Sequence, residues 1–353
     1  MNGKLNKILP LAGLFCGSLV FSSVFADTDT TSDNQASKSQ MQEITPPAGF
    51  AAEQGIGFSV YGDFIYWEAR ESNLGFAATN YSNLQDQVID VGETFFPSFK
   101  YKPGFKAGIA FDLGHDNWDL DANYTWLNGS AAKNSVKSTG KITNLYNLQF
   151  FDGSSNILDE ADSSWSLHHN LINVDLGRDY YISQYLTLRP YFGLSGAWNN
   201  QKQIVHYSIY GEGSQFISLS LKQNYWGVGF NTGLQTNWCF DENWAIYGNF
   251  GVMNLWSKYH VQSKETDYNY DANKAIVTPG TVSANTQSTQ YGLQNVLDLE
   301  VGVRWGMTFD DDTMGVSIQG GWEQQVWINH AQFANTESSL SLQGLTARLR
   351  LDF

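Results

Sequence analysis

The last ten residues form the segment that most constrains the fold of this chain. On an extended strand, successive side chains point to opposite faces. One face carries only apolar side chains, namely Leu345, Ala347, Leu349, Leu351 and Phe353. The opposite face carries Thr346, Arg348, Arg350 and Asp352. Two arginines opposite an unbroken apolar stripe do not suit a soluble β-sandwich core, but they suit a strand with lipid on one side and water on the other.

The end of this strand also resembles a targeting signal. Leu349, Leu351 and the terminal Phe353 resemble the C-terminal signal by which the bacterial outer-membrane assembly machinery recognises its barrel substrates. We therefore expect these three residues to act as an assembly signal and the barrel assembly machinery to be a partner.

The N-terminal region predicts export. Lys4 and Lys7 precede an apolar run over residues 8–24, and Ala26 offers a small-residue cleavage site, which together are typical of a signal peptide over residues 1–26. Cys16 would leave with that signal. Residues 27–54 are polar and predict a flexible periplasmic linker, with a plug or a peptidoglycan contact as the alternative.

Charge and composition exclude several classes of partner. The formal net charge is −15, and loss of Lys4 and Lys7 with the signal takes it to −17. A basic nucleic-acid surface is therefore not expected, and the same charge argues against a polybasic patch for anionic lipid. Charged residues make up 16% of the chain, against about 25% in a soluble domain.

Period-two alternation recurs along residues 55–353. In the clearest hairpin, an apolar stripe over residues 105–113 is followed by a tight turn at 114–117 and a second stripe over 118–126. Each run is long enough to cross a bilayer when tilted. Polar stretches, expected to be extracellular loops, separate such hairpins at about 71–103, 128–166, 199–223, 257–295 and 325–339. Within them, residues 147–151 and 204–221 could instead add a hairpin or lengthen strands, so twelve or more strands are an alternative. The pattern predicts an all-β fold, an antiparallel up-and-down transmembrane barrel of the bacterial outer membrane with about 10–12 strands.

Tryptophans cluster near the ends of these strands. Because Trp sits well where hydrocarbon meets the headgroups, we expect two interfacial girdles. Their predicted members are Trp67, Trp118, Trp126, Trp198, Trp238, Trp244, Trp256 and Trp322.

Charged residues opposite the apolar stripes are expected to face the lumen. They are Asp63, Lys106, Asp112, Asp119, Asp121, Asp175, Arg189, Asp298, Glu300, Arg304, Glu323, Arg348 and Arg350. Rings of such side chains tune ion selectivity in a pore, whereas in a small barrel they can pair and fill the interior. Both alternatives stay open here. Because acids outnumber bases among them, a conducting lumen would have a weak preference for cations.

Several segments resemble the Legionella-type major outer membrane protein family, which also has members in chlamydia-related bacteria. They lie in order at residues 61–70, 102–111, 115–126, 188–198 and 225–234. The resemblance implies an outer-membrane β-barrel with porin and cell-surface roles, and it implies no catalytic residues.

No motif predicts catalysis, a cofactor or a metal site. His168 and His169 are adjacent on a strand and so point to opposite faces. The sequence contains no G-x-S-x-G, Walker A, H-E-x-x-H or C-x-x-C motif. Cys239, the single cysteine after signal removal, is either an inert thiol or an intermolecular bridge near a periplasmic turn.

Two functions remain open at this point. The first is a porin-like channel that passes ions or small hydrophilic solutes across the outer membrane. The second is a structural or adhesive surface protein with a closed barrel, whose long loops contact a host surface or neighbouring molecules. Outer-membrane lipid is a partner under either hypothesis, and nucleic acid is a partner under neither.

Overall fold

The computed structural model describes residues 57–79, 92–146, 157–210, 215–270, 276–277, 279–309, 314–333 and 337–353. The predicted signal peptide and linker lie outside these residues. Thirteen strands occur in the described part of the chain: β1 (Phe58–Glu71), β2 (Ala77–Thr79), β3 (Thr94–Phe95), β4 (Tyr101–Asp112), β5 (Trp118–Asn144), β6 (Ile157–Arg178), β7 (Tyr180–Tyr181), β8 (Leu186–Ile209), β9 (Gln215–Cys239), β10 (Trp244–Asn269), β11 (Thr281–Phe309), β12 (Met314–Ala331) and β13 (Ser338–Asp352). No described helix is long and apolar enough to span a bilayer.

Ten of the described strands close into a ring. Their order is β1, β4, β5, β6, β8, β9, β10, β11, β12 and β13, and neighbouring strands are antiparallel. The last strand returns to the first, with a register that runs from Ser59 opposite Asp352 to Glu71 opposite Leu340. Phe353 donates its N–H to the carbonyl of Phe58 at 2.8 Å. The predicted fold class, an antiparallel β-barrel, is confirmed.

Short turns connect the strands at one end of the barrel. The turn between β4 and β5 falls at residues 113–117, which includes the predicted turn at 114–117, and Asp116 and Asn117 both adopt a φ of 56°. Asp and Asn tolerate this left-handed conformation better than most residues. Because periplasmic turns are short in outer-membrane barrels, we assign this end to the periplasm and the opposite end, called here the loop end, to the cell exterior.

The strands continue well beyond the length that a bilayer requires. β5 has 27 residues and β11 has 29, whereas about 9–11 tilted residues cross the membrane. Much of the polar sequence assigned to loops, such as 128–144 and 215–223, is therefore paired strand. These strand ends differ from the predicted loops because the alternation changes phase there, and the alternative of longer strands is confirmed for residues 204–209 and 215–221.

On long strands such as β9, the apolar residues point outward near the turns and inward near the loop end, and this change divides the barrel into two halves along its length. Near the turns, apolar side chains point outward, and Phe230 on β9 is 72% exposed. Closer to the loop end of the same strand, Ile217, Leu219 and Leu221 point inward and are buried. Apolar residues outside and polar residues inside suit lipid, whereas the reverse pattern suits water outside the wall. The barrel thus has a membrane-embedded half and a protruding half.

Two levels of outward-facing aromatic residues flank the membrane-embedded half. Trp226 and Trp238 lie on β9, and Trp244 and Trp256 lie on β10. Each pair is twelve positions apart, which corresponds to about 28 Å of height for a strand tilted by about 45°. Trp67 does not belong to either level, contrary to prediction, because its side chain is inside the barrel and fully buried.

Candidate functional site: the barrel interior

The interior of the membrane-embedded half contains a polar cavity of about 310 Å³. We call it the vestibule. Twelve of the thirteen residues expected to face the lumen line it, namely Lys106, Asp112, Asp119, Asp121, Asp175, Arg189, Asp298, Glu300, Arg304, Glu323, Arg348 and Arg350. Asp63 is on the same inner face, where it is buried behind Arg348.

Ion pairs and hydrogen bonds engage most of these charges. Arg348 binds both carboxylate oxygens of Asp63, each at 2.8 Å, and its guanidinium lies 4.3 Å from the centre of the Tyr61 ring. Arg189 on β8 forms a bidentate pair with Asp119 on β5, two strands away. Such two-point arginine–carboxylate pairs are among the strongest hydrogen-bonded contacts in proteins, so they hold the wall of the vestibule.

Glycines leave room for the long side chains of this wall. A Cβ atom built at Gly177 would overlap the guanidinium of Arg189. A Cβ atom at Gly108 would similarly overlap the ring of Tyr61, whose hydroxyl donates to Asp121 at 2.8 Å. A narrow barrel can hold inward-facing arginine and tyrosine side chains only if facing positions are this small.

One buried ion pair crosses the barrel at the far end of the vestibule. Lys106 on β4 and Glu323 on β12 are three strands apart around the ring, and their charged atoms are 2.5 Å apart. Both side chains are at most 10% exposed. Thr346 donates a hydrogen bond to Glu323 at 3.0 Å, which satisfies another lone pair of the carboxylate.

Beyond this pair, apolar side chains fill the interior. We call this cluster the plug, and its members include Trp67, Trp165, Leu167, Leu171, Trp327 and Leu342, all at most 2% exposed. Trp67 joins the plug to the vestibule, because its Nε1 donates to Thr346 at 3.1 Å and its ring lies 4.9 Å from the Lys106 Nζ. In the described part of the chain, the vestibule therefore ends at the plug and does not continue to the loop end.

A polar network crosses the plug around His330. Its Nδ1 lies 3.0 Å from the Gln294 Oε1, and Gln223 donates to its carbonyl oxygen at 2.8 Å. Burial lowers the pKa of His330 to about 3, so the ring is neutral at physiological pH. This network could not be predicted from the sequence, because its three members come from three different strands, β9, β11 and β12.

Burial also perturbs an acid at the end of β1, in the protruding half. Glu71 is 2% exposed and accepts a hydrogen bond from the Ser338 hydroxyl at 2.5 Å. Burial raises its pKa to about 8, because the ionised form loses its hydration. Between pH 4.5, the ordinary pKa of a glutamate, and about pH 8, Glu71 is therefore protonated in the folded protein and ionised in the unfolded chain.

Replacing Glu71 with Gln is expected to stabilise the protein at alkaline pH. Because the folded state binds the extra proton, the contribution of Glu71 to the free energy of unfolding falls as pH rises from 4.5 to 8. The substitution should remove that loss and raise the free energy of unfolding at pH 8 by on the order of 2–4 kcal/mol. Urea unfolding at pH 5 and pH 8 measures it.

The matched control for this prediction is Glu68→Gln. Glu68 is also buried but pairs with Arg70 at 2.9 Å, so its loss should give no gain at pH 8. An unchanged pH dependence of unfolding in Glu71→Gln would contradict the assignment of an ionisable, buried Glu71.

Cys239 lies at the turn end of β9, half-buried and next to the inner wall. It is directly opposite Ala245, which is buried, and Ala245 is opposite Arg304 of the vestibule. Direct partners share a face, so the thiol is on the inner side. Its cross-linking role stays a prediction, which gel migration with and without reductant tests against Cys239→Ser. The inward position favours monomeric migration throughout.

No group of three or more His, Cys, Asp or Glu residues that could hold a metal ion occurs among the described residues. Asp162 and His206 form a pair at 3.0 Å on the outer face of the protruding half. Ser218 is directly opposite His206 in the β8–β9 register, and we assign no catalytic role to this row.

Comparison with known families identifies the class of this barrel. The family model described as the Legionella pneumophila major outer membrane protein precursor matches residues 51–353. The chain belongs to this major outer membrane protein family. The match covers all described strands, and the family assigns the chain to the outer membrane. Among curated proteins, none matches the chain.

Solved outer-membrane barrels have a distant similarity to the chain. The outer membrane protease OmpT from Escherichia coli is 12% identical, with 86% of this chain and 99% of that chain covered and a TM-score of 0.39. A major outer membrane protein from Thermus thermophilus is 13% identical, with 84% and 100% covered and a TM-score of 0.29. The Pseudomonas putida toluene transporter TodX is 8% identical, with 85% and 90% covered and a TM-score of 0.27. Similarities of this size carry no argument about activity.

Proposed function

We propose that this member of the family is a surface protein of the outer membrane with a closed barrel. In this role the protruding strands and their loops contact a host surface or neighbouring molecules, and no catalytic step or cofactor is assigned to the chain. The observation that carries the proposal is the plug, which fills the interior between the vestibule and the loop end.

The membrane-embedded half supports this role as an anchor. Its outward face is apolar, with Phe192, Phe230 and Val301 all more than half exposed, so it matches a hydrocarbon environment. The protruding half presents a polar outer wall over an apolar interior, which is the arrangement of a stable water-soluble domain. The barrel thus supports a rigid platform outside the membrane.

Export and assembly form part of the same proposal. We propose that a signal peptide ending near Ala26 directs export and that Leu349, Leu351 and Phe353 are recognised during assembly. These three side chains lie on the outer face of β13 and are 39–50% exposed. An external partner can therefore contact them before the barrel closes against β1.

A channel for ions or small hydrophilic solutes is the second candidate function. It is favoured by the vestibule, whose charged lining resembles the wall of a selective pore. This function would require the plug to move aside. A lumen opened in that way would have a weak preference for cations, because acids outnumber bases in its predicted lining.

Solute flux into liposomes separates the two functions. Refolded protein in liposomes should give no more swelling in an arabinose solution than protein-free liposomes do. Replacing residues 271–279, between β10 and β11, by a Gly/Ser segment should reduce attachment of whole cells to host cells without changing flux. Rapid swelling with the unaltered protein would favour the channel and contradict the closed barrel.

A further inference from the structure

Four lysines form a patch on the outer face of β8, β9 and β10. They are Lys202, Lys222, Lys258 and Lys264, and we call them the lysine patch. Lys202 is directly opposite Lys222 in the β8–β9 register. Lys258 is opposite Trp226, and Lys264 is opposite Ser220. The four side chains therefore lie on one continuous area of the wall.

The charge of this patch is not balanced within the described part of the chain. Among exposed cations elsewhere, Arg70 pairs with Glu68 and Lys137 with Glu160, at 2.9 and 3.0 Å, whereas Lys100 forms no such pair with a described residue. None of the four patch lysines forms such a pair with a described residue. Like charges directly opposite each other on a sheet are destabilising, so a counter-charge beside Lys202 and Lys222 would stabilise this part of the wall.

The patch lies at the depth of lipid headgroups. Lys202 and Lys222 are each four positions on the loop side of an outward tryptophan, Trp198 and Trp226 respectively. Four residues of a tilted strand correspond to roughly 10 Å of height above the aromatic level. Lys258 is at that level itself, with its Nζ 5.8 Å from the centre of the Tyr291 ring. The headgroup zone extends roughly 5–8 Å outside the hydrocarbon core, so Lys258 lies within it and Lys202 and Lys222 lie at its outer edge.

Hydrogen-bonding side chains fill the row between the lysines and the tryptophans. The β-sheet register places His168, Asn200, Asn224 and His260 side by side across β6, β8, β9 and β10. Asn200 and Asn224 are exposed. Amide and imidazole groups at this depth offer donors to sugar hydroxyls and phosphate oxygens, and the tryptophans below offer an apolar surface to acyl chains.

We propose that the lysine patch binds the phosphate groups of an outer-leaflet glycolipid of the lipid A type. The loop end of the barrel is the exterior end, so the patch faces the outer leaflet, where a phosphorylated sugar headgroup supplies the missing negative charge. Lysine ammonium groups bind phosphate as point charges. The overall charge of −15 does not reveal this site, because many of the acidic residues line the vestibule and not the outer wall.

Two double variants with equal loss of charge test the proposal. Lys202→Gln/Lys222→Gln removes the opposed pair of the patch. Lys100→Gln/Lys137→Gln removes two exposed lysines elsewhere. Binding of bisphosphorylated lipid A to the full-length refolded protein in detergent is measured by native mass spectrometry, with dephosphorylated lipid A and inorganic phosphate as competitors.

The patch variant should bind bisphosphorylated lipid A roughly 10- to 30-fold more weakly, at about three- to fivefold for each lysine. The control variant should bind like the parent, and neither competitor should displace the lipid. Equal binding by the two variants would overturn the proposal, as would efficient displacement by dephosphorylated lipid A or by inorganic phosphate. If the patch variant does not fold, Lys258→Gln/Lys264→Gln makes the same comparison.

Discussion

Replacing Lys106 with Met is expected to lower the free energy of unfolding by about 3–5 kcal/mol. The pair that it forms with Glu323 is buried on both sides, so the substitution leaves a carboxylate inside the barrel without its counter-charge. Thr346 supplies one hydrogen bond to that carboxylate, which does not compensate for the lost ammonium. Urea unfolding of the refolded protein in vesicles, followed by tryptophan fluorescence, measures the change.

A second Lys–Glu pair on the protein surface provides the control. Lys137 and Glu160 are 3.0 Å apart, but the lysine side chain is 71% exposed, so Lys137→Met should cost at most about 1 kcal/mol. Combining Lys106→Met with Glu323→Leu should restore most of the lost stability, because no unpaired charge then remains. Equal costs for Lys106→Met and Lys137→Met would show that the cross-barrel pair is solvated.

Replacing Trp327 with Ala is expected to cost about 3–5 kcal/mol, the range for removing a large aromatic side chain from a packed core. Trp327 is fully buried in the plug. Its ring meets His169, Tyr225 and His330 edge-on at centroid distances of 5.3–6.1 Å. The loss of these contacts and the cavity that remains both lower the free energy of unfolding.

Trp256 is the matched control for this second prediction. It has the same chemistry but lies on the outer wall at 58% exposure, so Trp256→Ala leaves no internal cavity and should cost clearly less. If both substitutions cost the same, or if Trp327→Ala is neutral, the loop-end interior is not a packed core. The plug would then be too loose to close the barrel.

The membrane-embedded half could be predicted from the sequence because its alternation is simple. Outward apolar residues and inward charges repeat on each strand, and the hairpin around Gly114–Asn117 follows from its turn residues. The inward direction of Lys106, Arg189 and Glu323 follows from the same parity. Which of them pair could not be predicted, because Lys106 and Glu323 are 217 residues apart and meet only when the ring closes in one order.

A closed or plugged barrel was one of the two alternatives, but the length of the protruding half and the apolar composition of the plug could not be predicted, for one physical reason. Where the wall leaves the bilayer, the apolar side must move from outside to inside, so the alternation changes phase. On β9 the inward apolar residues Ile217, Leu219 and Leu221 are odd-numbered, and the outward Trp226, Val228 and Phe230 are even-numbered. That change of parity is visible in the sequence and marks the upper membrane boundary. A prediction that ends the strand at this change of parity assigns residues of the barrel wall to loops.

Each long strand contributes to both halves of the barrel and has a different role in each half. Outward apolar residues anchor the lower wall in lipid, and the paired charges of the vestibule hold its inner face. The upper wall surrounds an apolar core and supports the connections at the loop end. Closure of the interior is the central claim, since it separates a surface protein from a diffusion channel.

Ion conductance of the full-length, refolded protein in a planar lipid bilayer tests this claim most directly. In 1 M KCl, insertion of the unaltered protein, verified by its heat-modifiable migration on a gel, should produce no steady conductance steps. Because the plug fills the described interior above the vestibule, we expect it to block a continuous water path to the loop end. Stable, ohmic conductance steps from the unaltered protein would contradict the closed barrel.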